Sequence, residues 1–388
     1  MVTYPKDWKE CRLNEVSMIN PPSEVPSKFK YVDLESVKGV SLLNTRIENK
    51  ATAPSRAQRH ATVGDIFFQT VRPYQRNNYF FDHIDDEYVF STGYAQIRTD
   101  YDSKFLFYVL QKDSFVEEVI NNCTGASYPA INPKKLGSIK ICIPLDIAEQ
   151  KAIAATLSSF DTHIDNLTAL IEKKKAIRDG ALADLMSGRT RLAGFSGAWE
   201  LRRIRDIGNI ITGSTPPRGN SNLWNGDFCW VTARDLKGKY VSTTFEKITS
   251  VGKEYCRTVP KGSVLVTCIA SIGLNGIATV SLATNQQINS VICYDEYHSE
   301  FVYYCIEYNR PRLEQMAGQT AVPIVSKKQF GGLEVDIPAN LDEQKAIADI
   351  LASMDTEIQN LEAERDKIQA MREGAMDDLL TGRVRLPL

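Results

Sequence analysis

Lys50, Arg56, Arg59, Arg72 and Arg76 lie in a stretch, residues 49–80, whose one acidic residue is Asp65. Tyr74, Tyr79 and Phe80 interleave these charges. Cationic groups at that density suit the phosphates of a nucleic acid, and Gln69, Thr70 and Arg72 carry donors and acceptors that could meet base edges. A second group, Ser127, Tyr128, Ala130, Asn132, Lys134 and Lys135, forms a turn ahead of the strand-like run KICIP. In the other half of the chain Thr320, Val322, Ser326, Lys327 and Lys328 hold the corresponding place. That half also offers Arg218 and Asn220 in a Gly/Pro loop, and Thr232, Ala233, Arg234 and Asp235 after CWV. It further offers Thr267, Ser271 and Asn275, with the amide run Asn285-Gln286-Gln287, whose paired donor and acceptor match an adenine edge. The plain alternative for each group is a solvated polar loop.

Catalytic chemistry finds less support. Asn20-Pro21-Pro22-Ser23 approaches the Asn-Pro-Pro-aromatic signature of adenine methyltransferases, but serine stands where the aromatic residue would stack on a flipped base. No Gly-rich turn for a methyl donor lies nearby. Asp33 with Glu48-Asn49-Lys50 has the flavour of a nuclease triplet, a combination that arises easily by chance in a charged chain. There is no GxxxxGK[ST] for ATP, and His60, His83, His163 and His298 have no metal-ligand spacing. An active site is not expected in this chain.

Composition sets the frame for these groups. The 388 residues are 43% hydrophobic, enough for two or three ordinary domains with real cores. MVTYPKDWKE has no apolar core, so a signal peptide is not expected, nor is a membrane span, and a cytoplasmic location follows. The eight cysteines form no CxxC pair and sit in apolar strand-like runs, as buried free thiols do. Net charge is −2, but it divides unevenly: +1 over residues 1–142, zero over 143–192, +2 over 193–336 and −5 over 337–388. Total charge therefore neither supports nor excludes a DNA partner; only local patches can.

The elements that must position these groups come in two copies. Residues 143–192 laid on 337–386, a constant shift of 194, are identical at 27 of 50 positions without a gap. Each copy reads as one long helix after an Ile-Pro strand end, with Asp146 or Asn340 as N-cap and Glu149 or Glu343 at capping-box spacing. Gly188 and Gly382 end them, followed by GRTRL and GRVRL. Ile153, Leu157, Phe160, Ile164, Leu167 and Ile171 step by four and three, as do Ile347, Leu351, Met354, Ile358 and Leu361. That is a coiled-coil seam, and it predicts two helices of roughly 60 Å packed on each other. The segments before them, 1–142 and 193–336, mix β-branched and aromatic runs with Gly, Pro and Asn turns, which argues an α+β class. They differ strongly, yet TVGDIFFQTV (62–71) answers VPKGSVLVTC (259–268), and KFLFYVLQ (104–111) answers EFVYYCIE (300–307).

This plan resembles the type I restriction–modification specificity subunits. The resemblance rests on the repeated EQKAIA helix, its preceding Ile-Pro and its GRxRL ending, and on GSTPPRGNSNLWNGDFCWVTARDL; it covers essentially the whole chain. It implies two α/β target-recognition domains (1–142 and 193–336) separated by two long antiparallel helices (143–192 and 337–388), a coiled coil with pseudo-twofold symmetry. It implies double-stranded DNA as partner, each domain reading half of a bipartite site. The helices would space the domains and, through the repeated EQKAIA, offer docking faces to two methyltransferase subunits and, where one is present, a restriction subunit. S-adenosylmethionine, ATP and Mg would belong to those partners, with no cofactor here. Two other classes stay open at this point: a coiled-coil adaptor without DNA readout, and a stand-alone DNA methyltransferase or nuclease.

Overall fold

A computed structural model describes residues 4–84, 87–318 and 321–387; Thr320 lies outside them. By contacts the chain divides into two units, residues 1–168 with 363–388, and residues 169–362. Each unit thus takes one of the divergent segments, part of the long helix that follows it, and part of the other long helix.

Unit 1 opens with the strand Trp8–Arg12, paired antiparallel to Lys140–Pro144 with Trp8 opposite Pro144. Ile141 and Ile143 point into the core from alternate positions, as a half-buried strand requires. Two four-stranded sheets follow. One has the order 46–49, 28–32, 88–91, 57–60; the other 18–19, 94–98, 66–69, 79–80. The helix Ser103–Val109 is capped by Asp102, which accepts the Phe105 N–H at 2.7 Å. Its residues from Phe105 to Val109 are all buried, the pattern of a helix enclosed on every side. Unit 2 repeats the plan: Trp199–Arg203 pairs with Glu334–Pro338, Trp199 opposite Pro338. A five-stranded and a four-stranded sheet pack there with the helix Ser299–Tyr308. The eight cysteines stand as free thiols; burial pushes Cys142 and Cys268 up to about 11. Among the described residues no helix is long and apolar enough to cross a membrane.

The long helices run Ile147–Met186 and Leu341–Leu379. Asp146 and Asn340 cap them, accepting the N–H groups of Ala148 and Asp342 at 2.8 Å each. Past their ends Gly188 and Gly382 both take φ +68°, the left-handed turn that glycine makes without strain. Within each unit the helix segments are antiparallel. In unit 1 Arg372 bonds Asp161 and His163 approaches Glu364; in unit 2 Arg178 bonds Asp355 and Lys175 pairs with Glu362.

Two expectations about the helices need correction. Glu149 and Glu343 do not complete capping boxes. They are 3% and 1% exposed, and a carboxylate so buried is stable only with a charged partner. Arg385 supplies it to Glu149 at 2.9 Å, and Arg191 grips Glu343 with two bonds of 2.8 and 2.9 Å. The GRxRL ending of each copy therefore locks the EQKAIA opening of the other. Gln150 and Gln344, equally buried, bond the carbonyls of Pro144 and Pro338 and accept the N–H groups of Asp102 and His298. Four of the six residues of each hexapeptide, Ile153 and Ala154 or Ile347 and Ala348 included, are thus internal and not a docking face. The coiled-coil seam is buried unevenly along its length. Ile153 and Leu157 join the core of unit 1 with Leu106, Leu110 and Leu379; Ile347 and Leu351 join that of unit 2 with Leu182 and Leu185. Leu167 and Ile358 are buried farther along, while Phe160, Ile164, Met354 and Leu361 are half-buried. The early a/d residues serve two partners because the divergent segment covers the helix start.

The ion pairs carry the same duplication. Tyr108 donates to Asp161 at 2.6 Å in unit 1, and Tyr304 to Asp355 at 2.5 Å in unit 2. Arg178 is the more committed of the two arginines, adding two bonds to Glu307 at 2.6 and 2.7 Å. Burial alone would lower its pKa; Glu307 and Asp355 outweigh that and hold it up. Replacing Arg178 with leucine leaves two carboxylates facing each other at 29% and 20% side-chain exposure. The expected loss in urea unfolding is roughly 2–4 kcal/mol, below that of a fully enclosed pair. Arg372→Leu, which leaves one carboxylate, Asp161, with the Tyr108 hydroxyl still donating to it, should cost less; equal losses would contradict this ranking.

Candidate nucleic-acid interface

The strand Ile66–Gln69 is buried along its whole length and delivers the chain to a tight loop. Arg72 there takes the left-handed conformation (φ 54°, ψ 54°), a 3-10 turn Pro73–Gln75 follows, and Arg76 is left-handed again. Such angles are uncommon away from glycine and persist only where surroundings enforce them. The surroundings are the turn 127–131. Arg72 N–H donates to the Pro129 carbonyl at 2.7 Å, Val71 bridges Ala130, and Ile131 N–H donates to Thr70 at 3.0 Å. Unit 2 builds the same device from other residues. Ala270 is left-handed (φ 64°), its N–H donates to Pro323 at 2.9 Å, Ile269 bridges Ile324, and Val325 N–H donates to Cys268 at 2.8 Å.

The candidate residues sort by what they already hold. Gln69 is 1% exposed; its amide spans Gln75 and the Asn77 N–H, so it shapes the loop from inside. Thr70, 6% exposed, donates to the Gly93 carbonyl at 2.7 Å. Thr267 ends the matching strand of unit 2 at the place of Gln69, fully buried, its hydroxyl bonded within the loop to the Ser271 and Leu274 carbonyls. Base contacts expected of these three are corrected: the strand that delivers the loop is enclosed. Arg59 is half-buried, its Nε has no partner, and burial lowers its pKa. Lys50 and Arg56 are exposed on the neighbouring sheet and turn. Arg76 is held by Asp113 at 2.6 Å. Tyr74 and Tyr128 are exposed, and the Arg72 guanidinium lies 4.3 Å from the Tyr128 ring. Asn132 spends its side-chain oxygen capping the short helix that displays Lys134 and Lys135.

In unit 2 Arg218 is clamped by Glu246 and lies 4.0 Å from the Trp224 ring; Arg234 shares the same carboxylate. The Arg218 bond holds the Glu246 pKa below the usual carboxylate value. Thr232 closes a capping box with Asp235. Gln286 is exposed and bonded to Thr215, Gln287 is half-buried and bonded to Asn285, and Ser271, Lys327 and Lys328 are exposed. The structure therefore gathers residues 70–76 with 128–135, and residues 267–271 with 322–328. Arg218, Thr232 and Arg234 form a separate cluster around Glu246.

A family model for the type I restriction modification DNA specificity domain matches residues 5–176 and again residues 197–370. The chain belongs to that family. Across 97% of its length it is 22% identical to the HindI specificity subunit of Haemophilus influenzae, all of which it covers. It is 31% identical to the MjaIX specificity subunit of Methanocaldococcus jannaschii over 44% of this chain and 41% of that one. The crystal structure of a type I S subunit from M. genitalium shares its fold, with TM-score 0.63 over 96% of each chain at 17% identity.

For a specificity subunit the chemistry required is readout of a DNA sequence. No group of three or more metal-ligating side chains occurs among the described residues. Sequence reasoning missed the restraint on its own candidates. Asp113 neutralises Arg76 and Glu246 neutralises two arginines, across separations that leave no local signal. It also missed that Arg72 and Ala270 are equivalent. Setting Gly64 against Gly262 in the two matched runs points there, since Arg72 and Ala270 each lie eight residues beyond.

Proposed function

We propose that this specificity subunit reads a bipartite DNA target, one half-site through each divergent segment, and docks two adenine-N6 methyltransferase subunits. A restriction subunit joins where the system has one. The observation that carries this reading is the repeated loop: one backbone device, in each unit, bearing different side chains. A constant scaffold with variable tips suits two half-sites of different sequence. Lys134 and Lys135 in one unit, and Lys327 and Lys328 in the other, stand beside the loops with exposed ammonium groups for phosphates.

Docking of two copies of one partner is supported by the duplication of the helices. Ile177 and Met371, 194 positions apart, are each 49% exposed on the long helices, where an apolar side chain serves no internal contact of its own core. The chain itself performs no chemistry in this reading. S-adenosylmethionine, ATP and Mg are held by the partner subunits, and the complex works on DNA in the cytoplasm. The test is co-expression with the cognate methyltransferase, followed by sequencing of genomic adenine methylation. A single two-part motif that disappears without this chain is expected, together with no methyl transfer, cleavage or ATP hydrolysis by the purified chain. Turnover of methyl donor by the chain alone would overturn the division of labour.

A further inference from the structure

We infer that positions 72 and 270 are the matching base-reading positions of the two units, Arg72 selecting a guanine and Ala270 the methyl group of a thymine. The inference rests on the DNA-reading function proposed above and goes beyond it by assigning a base to each half-site.

Arg72 differs from most arginines of the chain. Arg76 and Arg98 are bound by Asp113 and Asp65, whereas Arg72 has no carboxylate partner among the described residues. Its guanidinium is stacked on Tyr128, which is 63% exposed. Stacking of this kind orders the planar group without consuming its N–H donors. The left-handed backbone, pinned at 2.7 Å to Pro129, fixes where the side chain leaves the loop. A pre-oriented fork of parallel donors matches one base edge above the others: O6 and N7 of guanine in the major groove. A phosphate would take the same fork, but only a base contact changes the sequence preference when the fork is removed.

Unit 2 presents the same backbone with opposite chemistry. Ala270 is exposed at the tip, and Val322 and Ile324 stand at the matching turn, 53% and 50% exposed. A small apolar surface has no hydrogen bond to offer a base, and the feature it recognises in the major groove is the thymine C5-methyl.

The experiment sequences adenine methylation in cells carrying the methyltransferase with the parent chain, Arg72→Lys, Arg72→Ala or Ala270→Arg. Lysine keeps the charge and removes the fork. Arg72→Lys should relax the preference for guanine at one position of one half-site by roughly 10- to 100-fold and leave the other half-site unchanged. Arg72→Ala should relax the same position and also weaken methylation at all sites. Ala270→Arg should move one position of the other half-site from thymine towards guanine. Where a variant loses methylation, the same comparison is read from binding of the full chain with its methyltransferase to duplexes carrying each base in turn. A parent motif lacking guanine in one half-site or thymine in the other overturns the inference. So does an Arg72→Lys variant with every base preference intact, and in both cases the proposed function stands. A parent that directs no site-specific methylation strikes that function itself.

Discussion

Leu157→Asp should unfold unit 1, including residues 363–388, while unit 2 stays protected from hydrogen exchange. Leu157 is fully buried, in one cluster with Leu106, Leu110, Ile153 and Leu379. Removing a buried leucine costs about 2–5 kcal/mol. Burying a carboxylate among these apolar side chains in its place adds several more. The sum approaches the whole stability of an ordinary domain, about 5–15 kcal/mol. The decisive segment is the C-terminal one. Leu379 and Leu380 belong to the same core, Arg385 pairs with Glu149, and Lys112 bonds the Leu380 carbonyl at 3.0 Å. Exchange should therefore rise in residues 363–388 in step with residues 1–168. Protection retained over 363–388 when 1–168 has lost it would sink the two-part composition of unit 1. Leu351→Asp should give the converse result, exposing residues 169–362 from within the core that holds Leu182 and Leu185.

Exchange of one recognition segment for that of a relative should rewrite one half of the methylated motif and leave the other half unchanged. The reason is the separation of roles in each unit. The loops 70–76 and 128–135 belong to a segment that opens and closes on one strand pair, Trp8–Arg12 against Lys140–Pro144. The junction matters. A Cβ on Gly382 would stand 2.5 Å from Pro5 and 3.3 Å from Trp8, so the start of the segment fits closely against the end of the second long helix. A donor segment must keep Pro5 and Trp8, and should run to Pro144 so that both strands of the pair come from one parent. Adenine methylation, mapped genome-wide with the methyltransferase co-expressed, is the measurement. A swap that changes both halves of the motif together would argue against independent readers. A swap that abolishes methylation is to be repeated with the recipient's own Pro5–Arg12 restored, which separates a broken junction from a broken reader.

The sequence by itself determined the repeat, the extent and ends of both long helices, and the family. A constant shift of 194, caps at Asp146 and Asn340 and glycines at 188 and 382 are local signals, and local backbone chemistry sets them. Heptad spacing also showed which faces of the helices are apolar, though not that Ile153 and Leu157 would be shared with a recognition core. Only the tertiary structure decided who partners whom. Glu149 could meet Arg191 of its own copy or Arg385 of the other; the antiparallel course of the helices brings Arg385 and not Arg191. Only it decided that Gln69, Thr70 and Thr267 are enclosed, because burial depends on what a second sheet or turn lays over a strand. The basic stretch from Lys50 to Arg76 was legible as charge, yet Asp113 removes Arg76 from it and Glu246 takes Arg218 and Arg234 from the other half. At the loop itself Arg72 stands against Tyr128, two residues 56 apart in the chain. Hydrogen bonds between strand end and turn bring them together, and no spacing in the sequence records that.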